Sequence, residues 1–164
     1  MDRNKLAYFQ LNDYESNTHH FLGNFYVEYN FLDHFTYQGR GGYEYRYARN
    51  YEFVPIRTWS VFVESVNQVD NNDNQNRNWM SNHTLTYQNY IGDHSINAMI
   101  GTEAQKFHWT SWGMSTKGAK NPAFNMHGSQ PQISSFGEWQ GVNGLLSYFA
   151  RINYDYQDKY YFTA

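Results

Sequence analysis

Residues 145–156, LLSYFARINYDY, constrain this chain more than any other stretch. Every second residue from Leu146 is apolar or aromatic: Leu146, Tyr148, Ala150, Ile152, Tyr154 and Tyr156. The intervening set, Leu145, Ser147, Phe149, Arg151, Asn153 and Asp155, turns polar and charged along its length. A period of two with two unlike faces predicts a β-strand between two different environments. Gln157–Lys159 supply a polar turn, and Tyr160–Ala164 begin another run.

The same pattern recurs. Phe21, Gly23, Phe25, Val27, Tyr29 and Phe31 alternate with His20, Leu22, Asn24, Tyr26, Glu28 and Asn30. After a tight turn at 32–34 come Phe35, Tyr37, Gly39, Gly41, Tyr43, Tyr45 and Tyr47 on one face. His34, Thr36, Gln38, Arg40, Gly42, Glu44 and Arg46 lie on the other. Two such runs joined by so few residues predict an antiparallel hairpin. A third strand is expected over 77–88, with Trp79, Leu85 and Tyr87 on one face, and a fourth over 94–109. In the fourth, Ile96, Ala98, Ile100, Thr102 and Ala104 oppose Asn97, Met99, Gly101, Glu103 and Gln105.

Between the strands, residues 1–16 read as loop, and 48–76 and 110–142 as long connections. Residues 58–69 are strand-like and are expected to form a projecting hairpin arm. Residues 70–76, DNNDNQN, read as a solvated tip. Asp70, Asn72 and Asn74 match the start of a calcium-binding EF-hand loop. The match fails at Gln75, where glycine is required, and at Ser81, where glutamate is.

Connections thus alternate short and long, and the expected strands are about 12–15 residues, well beyond the usual strand of about 5–6. Strands crossing a bilayer at a tilt need about 9–11. Short turns at one end and long loops at the other mark an up-and-down transmembrane barrel. The fold class expected is therefore all-β: an antiparallel meander of five to six strands, part of an outer-membrane β-barrel.

Composition agrees where it bears on this. Aromatic residues make up 20% of the chain, with 16 Tyr, 12 Phe and 5 Trp, yet mean hydropathy is −0.83. A barrel needs apolar residues on its lipid face alone, so its strands average out polar, and Tyr and Trp suit the lipid–water boundary. A net charge of −3 gives no basic stripe for nucleic acid. There is no cysteine. The seven histidines fall in no metal-ligand spacing, and no nucleophile or nucleotide motif is present. Neither an enzyme nor a cofactor is expected.

Three segments, 19–45, 82–105 and 145–164, resemble SusC/RagA-type TonB-linked outer-membrane transporters in order and spacing. The last is the most similar, with its LLSYFxRxNY strand, short turn and YxxTA run. The resemblance covers about residues 18–164 and implies a central stretch of the family's barrel. It does not reach the signal peptide, carboxypeptidase-like extension, plug or TonB box, so residues 1–164 are expected to be a partial barrel of a wall that closes about 22 strands. It implies import of glycans or peptides, with a SusD-like surface lipoprotein, the TonB complex and outer-membrane lipid as partners of the whole protein. Two other readings are a small self-contained outer-membrane barrel and a soluble aromatic-rich carbohydrate-binding β domain.

In that setting Arg40, Glu44, Arg46, Arg151 and Asp155 are candidates to line the lumen, where they satisfy one another and the plug, or touch substrate. Trp109, Trp112 and Trp139 fall at or in the second long connection. They are candidates to contact substrate from a loop, or to pack within the loop or an aromatic girdle.

Overall fold

The computed structural model describes residues 12–57 and 65–164. They form one antiparallel sheet of six strands in sequence order. The strands are β1 (Asp13–Phe31), β2 (Phe35–Val54), β3 (Gln68–Ile91), β4 (His94–Lys117), β5 (Gln132–Tyr156) and β6 (Tyr160–Thr163). A single 3-10 turn, His127–Ser129, lies before β5. No helix among the described residues is long and apolar enough to cross a membrane, which says nothing of strands.

The expected meander is present, and its strands are longer than the sequence predicts. β3 and β4 each run 24 residues and β5 runs 25. Residues 13–16, expected as loop, open β1. The first long connection shrinks at both ends, because β2 continues to Val54 and β3 begins at Gln68. Of the expected projecting arm, residues 58–64 lie outside the described residues, and Gln68 and Val69 open β3. The second connection shrinks to 118–131. Residues 70–76 are not a solvated tip but the opening part of an inner strand, paired between β2 and β4. This also disposes of the calcium match: successive same-face residues of a strand stand about 6–7 Å apart in a line and cannot wrap one ion.

The tight turns carry the backbone cost of the hairpins. Leu32 and Asp33 have φ of 52° and 55°, and Gln157 and Asp158 have 56° and 55°. Two successive positive φ values are the twist-matched hairpin turn, which asparagine and glycine adopt most easily. Asp158 has its backbone N–H bound by the Asp155 carboxylate at 2.9 Å. At the third turn only Gly92, at 61°, has positive φ.

The strands divide between two compact units. One contains residues 21–45, 77–108 and 142–164, next to the tight turns; the other contains 12–20, 46–76 and 109–141, next to the long connections.

In the turn-end unit the two predicted faces are real and continuous. The Phe25 ring covers Gly41, so closely that a Cβ there would fall inside the ring. Tyr37 bonds His83 between hydroxyl and Nδ1 at 2.6 Å, and Phe35 packs on Tyr87 at 5.0 Å. These contacts place the aromatic sets of β1, β2 and β3 on one side. At β4 the parity reverses across the two-residue turn Gly92-Asp93, and His94 meets Tyr154 and Tyr156 at 5.9 and 4.9 Å. Tyr154 in turn pairs with Phe162, and Tyr156 with Tyr160. The apolar sets of all six strands therefore share one face. Nothing among the described residues covers it: Phe25, Ile100 and Tyr148 are 65%, 60% and 78% exposed.

Among the described residues, the loop-end unit holds the buried residues with side chains, and five of the nine are polar or charged. Phe53, Val54, Val69 and Ala119 are its buried apolar residues, beside buried Arg57, Asn67, Asn71, Asp73 and Thr116. Asn67 is the staple. Its Nδ2 donates to the carbonyls of Asn121 (2.6 Å) and Phe124 (3.2 Å), and its Oδ1 accepts from the Ile56 N–H at 2.8 Å. Tyr51 donates to the Asn125 carbonyl at 2.6 Å, and Thr116 Oγ1 pairs with His127 Nδ1 at 2.8 Å. The connection 118–131 is thus folded down over the side of β3 and β4 that bears Asp73 and Thr116.

Candidate functional site

Each unit offers concave surface on the polar side of the sheet. In the turn-end unit the even residues of β2 and β3 come together with odd residues of β4. A small groove of about 160 Å³ has Asn24, Gly42, Glu44, Asn78, Met80 and Phe107 on its walls. Glu44 accepts from Asn78 Nδ2 at 2.9 Å. Nearby on the same face, Arg40 lies over the Tyr26 ring at 5.3 Å, and Glu28 accepts from Tyr26 and from Gln38, the latter at 3.1 Å. The face predicted to be polar also carries apolar side chains: Leu22, Met80, Phe107, Leu145 and Phe149 lie on it, and the Phe149 ring covers Gly101.

The larger polar-side groove belongs to the loop-end unit. It measures about 560 Å³ and draws on β1 to β5: Tyr14, Asn50, Glu52, Asp70, Asn72 and Trp139 are among its lining. Its polar groups are held by their neighbours. Asn50 Oδ1 accepts from Ser16 at 2.8 Å, and Glu52 Oε1 accepts from Asn12 Nδ2 at 2.9 Å. Along β3, Gln68 donates to Asp70 at 2.8 Å and Asn74 to Asn72 at 2.6 Å. Such pairs two apart lie on one face of a strand, so β3 presents a row of amides and a carboxylate. On β5 the Trp139 ring lies against Gly137, and across the sheet Trp109 lies against Gly141; neither glycine leaves room for a Cβ. Trp139 and Trp109 remain 57% and 41% exposed.

The sequence-based candidates separate accordingly. Arg40 and Glu44 share the polar face of the turn-end unit. Asp155 is there too, but it holds the turn to β6 through Asp158. Arg151 is on that face and exposed, and Arg46 is exposed at the start of the other unit's share of β2. The three tryptophans are not loop residues: Trp109 and Trp112 lie in β4 and Trp139 in β5. Trp109 and Trp139 share the polar side, whereas Trp112, three positions from Trp109, falls on the opposite one. The residues missed from sequence are Asn50, Glu52, Asp70 and Asn72. The period of two was present around Asp70, with exposed or half-buried Asp70, Asn72 and Asn74 alternating with buried Asn71 and Asp73. It was invisible because every member is polar.

No family model matches the chain. The chain is 26% identical, over 98% of its length, to the TonB-dependent receptor P26 of Formosa agariphila, of which it spans 17%. The RagAB peptide transporter superposes on 97% of the chain with a TM-score of 0.87 at 15% identity. The fold is similar to a stretch of the RagA barrel. A structure of the RagAB peptide importer in a closed-closed state gives a TM-score of 0.85 at 18% identity over 96% of the chain. The chain spans less than a fifth of these proteins, 18% in both structures.

Proposed function

We propose that residues 1–164 are a wall segment of an outer-membrane TonB-dependent importer of glycans or peptides, with the aromatic face against lipid and the groove face toward an aqueous lumen. The observation that carries this is the segregation of the turn-end unit. One face collects Phe21, Phe25, Tyr29, Leu85, Ile100 and Tyr148, uncovered, and the other collects Asn24, Glu28, Arg40, Glu44, Asn78 and Arg151. Exposed apolar patches on soluble proteins rarely exceed a few hundred Å². A face this apolar, continuous over six strands, needs hydrocarbon or a partner sheet, and the charges opposite need water.

Aromatic contacts cluster beside the turns, as at a membrane boundary. Tyr29, Phe31 and Phe35 stack in series at 5.6 and 5.4 Å, Phe35 continues to Tyr87, and His94, Tyr156 and Tyr160 form a second series. The long connections would then face the cell exterior, where a SusD-like surface lipoprotein meets such barrels, and the TonB complex would act on the whole protein from the periplasm. The RagAB structures, named for a peptide transporter, support a partnered importer of this general kind.

The test is localisation followed by accessibility. In cells making the full-length protein, a thiol reagent that cannot cross membranes should label Asp70→Cys from outside and leave Ile100→Cys unlabelled until the membrane is dissolved. Recovery of the protein in the soluble fraction, or equal labelling at both sites, refutes the reading.

A further inference from the structure

We propose that the groove of the loop-end unit selects neutral saccharide over both anionic saccharide and peptide, an inference that rests on the importer reading. Three features of the groove argue for it.

The first is charge. Glu52 and Asp70 both line the groove, and among the described residues no lysine or arginine does. An anionic ligand would meet these two carboxylates in a partly enclosed space where screening is weaker than in bulk water.

The second is the shape of the apolar surface. Trp139, which lines the groove, lies against Gly137 and remains 57% exposed. An indole presents a planar apolar tile with one N–H. A pyranose ring has a matching flat C–H face and hydroxyls at its rim. Glycine is required beneath the indole, since a Cβ there would lift it.

The third is the polar complement. Asn50 and Asn72 offer amide donors and acceptors, Ser115 a hydroxyl, and the two carboxylates acceptors alone. Sugar hydroxyls both donate and accept, and so satisfy all of these groups. A peptide is recognised instead by an open strand edge or by side-chain pockets. Among the described residues β2 to β5 supply all of the groove's lining except Tyr14 of the outer strand β1, and each of these four strands is flanked by a neighbour on both sides. Its floor has glycine and indole where a peptide would need separate side-chain pockets.

The experiment uses the full-length protein in detergent, titrated with xylohexaose, cellohexaose, mannohexaose, hexagalacturonate and a neutral hexapeptide, read by tryptophan fluorescence and calorimetry. At least one neutral hexasaccharide should bind and shift tryptophan emission. Trp139→Ala should weaken it by about tenfold, the size of one good aromatic contact. Hexagalacturonate should bind at least tenfold more weakly than that saccharide. The double variant Glu52→Gln, Asp70→Asn should close that gap by about tenfold, a change that a structural role for the two residues would not produce. The proposal is overturned if none of the three neutral hexasaccharides binds, if hexagalacturonate binds as tightly, or if the hexapeptide binds with the same dependence on Trp139. Each of these leaves the importer reading intact, because that reading fails on cell fractionation and labelling instead.

Discussion

Ile100 and Met99 are adjacent in β4 and point to opposite sides, which makes them a controlled pair for the central claim. Ile100 is 60% exposed on the aromatic face; Met99 is on the face that carries Gly101 and Glu103. Ile100 stands six positions past His94, where β4 begins. At about 3.3 Å per residue and a tilt of about 40°, that is roughly 15 Å along the membrane normal, near the middle of an apolar band about 25 Å tall. Arginine at the midplane of a barrel's lipid face costs about 2–4 kcal/mol. At position 99 the same side chain would extend into water beside Glu103, so its cost should stay below about 1 kcal/mol. The difference, at least about 1 kcal/mol, is about fivefold or more in the folding equilibrium. Reversible unfolding of the full-length protein in phospholipid vesicles, titrated with guanidinium, measures it. Equal penalties for Ile100→Arg and Met99→Arg would refute the lipid assignment, since a soluble sheet exposing both residues predicts that. A larger penalty at Met99 would mean the faces are reversed.

Three further outcomes are expected. Replacing Leu32-Asp33 by Asn-Gly should stabilise the first hairpin by about 1 kcal/mol, because leucine at a φ of 52° is disfavoured and Asn-Gly prefers that turn; thermal melting of the full-length protein checks it. Asn67→Ala should release the connection 118–131 at a cost of about 2–4 kcal/mol, since the Asn121 and Phe124 carbonyls and the Ile56 N–H lose a fully buried partner; faster hydrogen exchange at Gly118 and Phe124 would show it, and unchanged exchange would refute it. His127 should make that docking sensitive to acid. Burial holds its pKa below the ordinary histidine value, and its Nε2 is buried without a partner. The folded state thus prefers the neutral ring. The docking should be at full strength above about pH 6.5, and weaken as pH falls from there toward the depressed value. Protection factors in 118–131, with exchange corrected for its intrinsic pH dependence, should fall between pH 7 and 5, and His127→Gln should flatten that fall.

How far the sequence was readable follows from where one face of the sheet is apolar. In the turn-end unit the two sides differ in polarity, so Phe21 to Phe31, Phe35 to Tyr45 and Leu146 to Tyr156 announce both the strand and its orientation. The polar side also takes apolar residues: the alternation already placed Leu22 there, whereas Met80 and Phe107 belonged to neither set, and single residues do not break a period. Past residue 46 on β2, before 77 on β3, and around 109–117 and 132–141 on β4 and β5, the contrast disappears. Both sides of these strands carry Asn, Ser, Gly and Asp, and a row such as Asp70 to Asn76 has the composition of a loop. It is a strand because β2 and β4 pair with its backbone on either side, a non-local cause that no local pattern reports.

The same loss of contrast explains why the groove was hidden while its tryptophans were not. Trp109 and Trp139 stand out in any reading, but their partners are ordinary amides and carboxylates whose meaning comes only from alignment across five strands. The glycines were the legible clue. Gly137 and Gly141 each lie two positions from Trp139, on the same face of β5, and glycine inside a strand marks a close approach by another group. Here that group is an indole in both cases. Glycine two positions from a tryptophan on the polar side of a strand therefore marks where an indole can lie against the backbone, and a Cβ at Gly137 or Gly141 would cost the indole its seat. Trp139 shares its groove with Glu52 and Asp70, and the saccharide titration with Trp139→Ala decides whether that grouping serves a ligand.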